Sequence, residues 1–368
     1  MYRSIQTVKA DAARKYYPEL GEDILWAVLS SGINARHPHF EAHDNLGGPA
    51  EDLHRDFTED DPSIDSALDD PIGHGTQCAG ILAGGLDPAF PRDRLEVYEN
   101  TDTGSGEVTL ARADVEPADI SGLAPRCRLV SLRVLDGQGQ GSTVTSIRAL
   151  RYVRRDVNAD GRLLRIHGVL VPVGWEFDPA RFACGASPLC QEVERLVGSG
   201  VTVVVAAGNT GYAPINSIQR ITTTGHLLTI NDPGNAEAAI TVGSTHRDMP
   251  HRFGVSYFSS KGPTADGRSK PDVVAPGEKV VSCAAGRALT NTPTELDNGA
   301  VYVENSGTSI ASAHVAGVIA AFLSIHREFI GQPADVKRII LNSATSLGRR
   351  EEFQGRGLVD LMRAIQSV

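Results

Sequence analysis

The stretch Ser306-Gly307-Thr308-Ser309-Ile310-Ala311-Ser312-Ala313-His314-Val315-Ala316-Gly317, continuing as Val318-Ile319-Ala320-Ala321-Phe322-Leu323, constrains the fold more than any other part of the chain. A Gly-Thr-Ser turn opens it, and small or apolar residues fill nearly every position that follows. A helix so uniform around its circumference has no solvent face and belongs in the middle of a domain. Ser309 falls at its N-terminus, where unpaired backbone N–H groups and the positive end of the helix dipole face the hydroxyl. That arrangement suits an oxyanion formed at the serine; the alternative is an N-cap serine on a core helix.

Two further segments bear on the choice. Gly73-His74-Gly75-Thr76-Gln77-Cys78-Ala79-Gly80-Ile81 sets a histidine between glycines at the head of a second small-residue helix. Val201-Thr202-Val203-Val204-Val205-Ala206-Ala207-Gly208-Asn209-Thr210-Gly211 reads as a buried strand ending in an asparagine. Taken in the order His, Asn, Ser, these motifs resemble the subtilisin-like serine proteases, with recognisable segments from about Trp26 to Asp360. The resemblance implies Ser309 as nucleophile and His74 as general base. It also implies an oxyanion hole made by the Asn209 side-chain amide and the Ser309 backbone N–H. A structural His74 and a turn-forming Asn209 are the alternatives that the residues alone leave open.

The chain departs from the family pattern at one catalytic position. In the family the first strand ends Asp-Ser/Thr-Gly; here Leu25-Trp26-Ala27-Val28-Leu29 runs into Ser30-Ser31-Gly32. Ser30 therefore stands where a carboxylate would orient the imidazole, and it brings a hydroxyl without charge. Where the family commonly has Asn-x-Ser, this chain has Leu170-Val171-Pro172 ahead of Val173-Gly174. Pro172 keeps a carbonyl to receive a substrate N–H but has no N–H of its own. By resemblance Pro172, Val173 and Gly174 bind substrate. So do Gly137, Gly139 and Gly141, whose bare backbone lets an extended chain approach and pair. In the serine motif the usual Met and Pro are Ile310 and Ala313. The expectation is a serine endopeptidase slowed by Ser30; the alternatives are a pseudoprotease that binds extended peptides without cutting, and a non-catalytic scaffold.

Strands alternate with helices along the chain, which predicts an α/β fold: three layers, a mostly parallel sheet with helices on both faces. The reading is one peptidase domain over 25–368 after a polar lead-in over 1–24, with helical character around Ala10–Tyr17. Nothing in 1–24 resembles a folding pro-domain. Residues 86–121 form an insertion in which Leu95–Tyr98 and Val108–Leu110 predict a β-hairpin, and 211–237 form a second long loop. Substrate selection and mere decoration are the two readings of the first insertion.

A formal net charge of −10 argues against nucleic acid as a partner, since phosphate binding needs a basic surface. No apolar run is expected to span a membrane. Met1-Tyr2-Arg3-Ser4-Ile5 lacks the apolar core of a signal peptide, so the expectation is a cytoplasmic location or a leader already trimmed. The five cysteines show no metal-type pairing. Cys184 and Cys190 are close enough in sequence for a loop disulfide; free thiols in a reducing compartment are the simpler reading, with Cys78, Cys127 and Cys283 in the core. Glu59, Asp60, Asp61, Asp65, Asp69 and Asp70 cluster ahead of His74. They read as a solvated acidic loop or as a calcium site, since hard cations take several carboxylates. The resemblance requires no cofactor and implies a polypeptide substrate; the oligomeric state stays open.

Overall fold

The computed structural model describes residues 1–58, 63–102, 108–216, 221–297 and 299–368. Its strands in chain order are β1 (Leu25–Ser30), β2 (Arg55–Asp56), β3 (Leu95–Asp102), β4 (Val108–Ala113), β5 (Arg128–Arg133), β6 (Gly168–Val171) and β7 (Thr202–Ala206). They continue as β8 (Tyr212–Asn216), β9 (Ile221–Gly225), β10 (Ile240–His246), β11 (Val273–Glu278), β12 (Val280–Cys283) and β13 (Ala300–Asn305). Seven strands form one parallel sheet in the order β11-β10-β7-β6-β1-β5-β2.

The short apolar runs form strands because both of their faces are covered. All six residues of β1 are buried, and its side chains alternate between two cores. Trp26 and Val28 join the core that contains the serine helix, while Leu25, Ala27 and Leu29 join the core on the opposite face. Helices α3 (Thr143–Arg151) and α4 (Pro188–Gly198) cover the second face. On the first face lie α1 (Ala10–Tyr16), α2 (His74–Leu82), α5 (Thr308–Ile325), α6 (Pro333–Ser343) and α7 (Leu361–Gln366). The result is the expected three-layer α/β arrangement.

α5 is the axis of the first layer, packed on β6, β7, β10, β11, α2 and α7. Every residue from Thr308 to Leu323 is buried. Contrary to the sequence expectation, this helix is long and apolar enough to cross a membrane; its apolar surface is covered instead by the sheet and its neighbouring helices. The lead-in packs into the same core through Met1, Ile5, Val8, Ala10, Ala13, Leu20 and Ile24.

The two insertions behave differently from each other. The hairpin expected within 86–121 forms as β3 and β4, and β3 then pairs in parallel with β13, giving a second sheet in the order β12-β13-β3-β4. Within 211–237 the described residues are not all loop: β8 and β9 pair antiparallel, Ala213 opposite Thr224 and Pro214 opposite Thr223. β9 carries three successive threonines, β-branched residues that suit an extended strand, which explains the departure from a loop.

The sheet order fixes where the site must be. β7, β6, β1 and β5 are neighbours, so the segments leaving their C-terminal ends line one edge. Those segments carry Asn209, Pro172 and the glycines at 137, 139 and 141, and Ser30 ends β1 beside them. That edge is where parallel α/β sheets place their chemistry.

Candidate active site

Ser30 is the last residue of β1, and its Oγ lies 2.8 Å from His74 Nδ1. Close backbone packing produces this contact. A Cβ on Gly75 would sit 2.0 Å from the Gly32 carbonyl oxygen, and one on Gly73, at φ +92°, would sit 2.2 Å from the Ala285 oxygen. Glycine at 75 lets α2 start directly against the turn after β1, and glycine at 73 lets its head pass the Ala285 carbonyl. The Gly75 N–H donates to Ser31 Oγ at 3.0 Å, and the Asn34 N–H donates to Thr76 Oγ1 at 2.9 Å.

Asp70 completes the clamp around His74. Its Oδ1 accepts from the Gly73 and Ile72 N–H groups at 2.8 and 3.2 Å, and its Oδ2 from the Thr76 N–H and hydroxyl at 2.9 and 2.7 Å. A buried carboxylate at the positive end of α2 thus satisfies N–H groups that a helix start leaves unpaired. Burial pushes the His74 pKa below the usual 6.5, with the Asp70 charge opposing that shift.

The hydroxyl of Ser30 leaves the imidazole tautomer undetermined. With Nδ1 protonated, it donates to Ser30 Oγ and Nε2 is free to take a proton; with the serine hydroxyl donating to Nδ1, Nε2 carries hydrogen and cannot. A carboxylate accepts only, and would force the first state.

Ser309 is buried in the first turn of α5. One turn along α2 from His74, Cys78 Sγ reaches the Ser309 carbonyl oxygen at 3.9 Å, so the heads of the two helices meet. Asn209 comes from the turn after β7. Its Oδ1 accepts from the Thr308 N–H at 2.9 Å and the Thr308 hydroxyl at 3.0 Å, which fixes the amide orientation and leaves Nδ2 free to donate. Thr308 Oγ1 also receives the Gly208 N–H at 3.1 Å. A Cβ on Gly307 would lie 3.0 Å from Ser309 Oγ and 3.7 Å from Asn209 Nδ2, so hydroxyl and amide border one small space. Among the described residues no hydrogen bond joins His74 Nε2 to Ser309 Oγ; such bonds are often long until a substrate is bound.

The glycine segment is partly engaged with itself. Asp136 Oδ1 accepts from the Gln138 and Gln140 N–H groups, both at 2.8 Å, and Arg287 donates to the Gly137 carbonyl at 3.0 Å. Neither the Gly139 carbonyl nor the Gly141 N–H has a partner among the described residues. Pro172 is buried where β6 ends, Val173 is half-buried and Gly174 is exposed; Trp175 pairs with Asp232 beyond them.

A family model described as the subtilase family matches residues 21–357. The chain belongs to the subtilase family. This subtilase is 28% identical to serine protease AprX of Bacillus subtilis over 327 residues, which is 88% of this chain and 61% of that protein. It is 29% identical to pyrolysin of Pyrococcus furiosus over 334 residues, 80% of this chain and 21% of that protein. The chain therefore spans less than two thirds of either relative. An intracellular serine protease of Paenibacillus polymyxa is 26% identical over 364 residues, 98% of this chain and 85% of that protein.

Other expectations resolve at the level of single groups. All five cysteines are free thiols, so the alternative of a Cys184–Cys190 disulfide falls. Of the acidic cluster, Glu59, Asp60 and Asp61 lie outside the described residues. Asp70 has both oxygens committed to backbone and Thr76, and Asp69 faces Arg36 at 3.7 Å. Among the described residues no group of three or more His, Cys, Asp or Glu side chains is arranged to hold a metal. Sequence reading gave Asp70 and Thr308 no role at the site. The signal for Asp70 was its position four residues before His74, at the head of a helix.

Proposed function

We propose that this subtilase is a serine endopeptidase that works through an acyl-enzyme on Ser309 and is slowed by Ser30. The observation that carries the reading is the 2.8 Å contact between Ser30 Oγ and His74 Nδ1, which keeps a third group on the imidazole. In this reading the Ser309 hydroxyl attacks a peptide carbonyl while His74 Nε2 takes its proton. The oxyanion is held by the Asn209 NH2 and the Ser309 N–H. His74 then gives the proton to the departing amine, and water repeats the sequence to release the acid. The substrate is an extended polypeptide lying along Gly137, Gly139 and Gly141 and along Pro172, Val173 and Gly174. No step calls for a metal.

The slow step is the one that charges His74. Imidazolium forms beside a neutral hydroxyl, in a site whose burial already disfavours it. Loss of the corresponding carboxylate in subtilisin lowers kcat by roughly 3 × 10⁴.

A fluorophosphonate probe tests the reading, because it needs a nucleophilic serine but no leaving-group protonation. Slow labelling of Ser309, abolished in His74→Ala, is the expected result. No labelling of Ser309 after long exposure at high pH contradicts it. That outcome would favour a peptide-binding pseudoprotease, a reading that the clustered departures at Ser30 and at 170–172 also support.

A further inference from the structure

On the second face of the sheet, away from the serine helix, four arginines border one groove. It has a volume of about 480 Å³ and is lined by Arg55, Phe57, Arg148, Arg151, Tyr152 and Arg155, with Asp156 its one acid. The row follows from helix geometry. Arg148, Arg151, Tyr152 and Arg155 are spaced by three and four along α3 and its continuation, so they share a face. Ala149, Leu150, Val153 and Val157 turn into the core. The continuation Tyr152–Val157 is a π-helical turn, closed by the Asn158 N–H on the Val153 carbonyl at 3.0 Å.

The charge on this row is only partly answered from within. Arg151 donates to the buried Glu192 at 3.2 Å, and that carboxylate also holds Arg154. Arg55 donates to the His54 carbonyl and lies 5.6 Å from the centre of the Tyr152 ring. Arg148 and Arg155 are exposed and have no acidic partner among the described residues. Unanswered guanidinium groups beside an aromatic floor, on a chain whose net charge is −10, form a local field opposite in sign to the whole.

The row lies on the helix that follows the glycine edge in the chain. Gly141 is followed directly by Ser142, the N-cap of α3, whose Oγ accepts from the Thr145 N–H. At about 1.5 Å per residue, Arg148 is roughly 8 Å from the start of the helix and Arg155 roughly 18 Å. An extended chain leaving the glycine edge over α3 covers that span in roughly two to six residues, at about 3.3 Å each.

We propose that Arg55, Arg148, Arg151 and Arg155 form an exosite for an acidic stretch of the polypeptide that occupies the glycine edge. Carboxylates spaced along an extended chain meet guanidinium groups on successive helical turns, and Arg148 and Arg155 carry most of the attraction. The inference rests on the peptide-processing reading of the Ser309 site, but its test does not use cleavage.

The test is fluorescence anisotropy of labelled deca-glutamate and of a neutral Gly/Ser decapeptide, on the full chain carrying Ser309→Ala. Deca-glutamate is expected to bind in low salt. Arg148→Glu with Arg155→Glu should weaken it at least about tenfold, and the paired Arg→Lys variant should keep most of the affinity. The neutral peptide should be unaffected by either pair. Equal deca-glutamate binding by the parent and the charge-reversed pair overturns the proposal. So does tight binding of inorganic phosphate or ATP with none of deca-glutamate, which would make the groove a small-anion site. If deca-glutamate binds through these arginines while Ser309 is never labelled by fluorophosphonate, the exosite stands and the protease reading fails.

Discussion

Asn209 turns its side-chain oxygen to the Thr308 N–H, 2.9 Å away, and so presents its NH2 beside Ser309. Thr308, the residue before Ser309, thereby fixes the amide that the proposed mechanism uses as oxyanion donor. Removing that donor in Asn209→Ala should lower kcat by roughly 10²–10³ with little change in KM, since the bond matters most once the oxygen is charged. Thr308→Val keeps the backbone N–H but loses the hydroxyl and should cost roughly tenfold or less. Steady-state kinetics on a peptide substrate check both; a rise in KM alone would place Asn209 in ground-state binding instead.

The pH profile carries the signature of an uncharged third group. Burial lowers the His74 pKa below 6.5, so the base form dominates at neutral pH. The rate constant kcat/KM should rise as His74 loses its proton, with a midpoint below 6.5, and Ser30→Asp should move that midpoint upward by stabilising imidazolium. Midpoints that coincide in the two proteins would mean that residue 30 does not act on His74.

Much of this was legible from the chain because its signals were local. The uniform apolar run 310–323 reads as a core helix, and short apolar runs alternating with helices read as a parallel sheet. The β3–β13 pairing was not legible, because nothing in 95–102 names a partner some two hundred residues on. Asp70 was read with the acidic run, since sequence shows a carboxylate but not the N–H groups it receives. Ser30 was placed by motif; its contact with Nδ1 depends on how closely Gly75 lets α2 approach, and distance is not written in sequence.

Asp70 also holds the histidine turn together. Asp70→Asn removes the charge at the head of α2 and replaces one accepting oxygen with an NH2 facing the Thr76 N–H and hydroxyl. The expected loss is about 1–3 kcal/mol, read from urea unfolding. A variant as stable as the parent would mean the clamp contributes nothing net.

Three of the buried histidines contribute to the response to acid. His37 donates to the Val301 carbonyl, His39 to the Gly80 and Ala83 carbonyls while accepting from the Tyr302 hydroxyl, and His314 to the Ile310 carbonyl. Burial lowers His37 to about 4, and His39 and His314 to about 3. Between 6.5 and those values the unfolded chain binds protons that the folded one refuses. Their contribution to stability should therefore be full above pH 6.5 and fall as pH drops from about 6.5 toward 3. Thermal unfolding across that range checks it, and His39→Gln should flatten the slope.

The central claim is that the proposed Ser309 site keeps its nucleophile, base and oxyanion donor and is slowed chiefly by the missing charge at residue 30. Its most direct measurement is kcat/KM of Ser30→Asp against the parent, on an unstructured protein substrate at pH 8. A rise of at least about a hundredfold, up to roughly 3 × 10⁴, is the predicted result. No rise, in a variant that folds as the parent does, would contradict it.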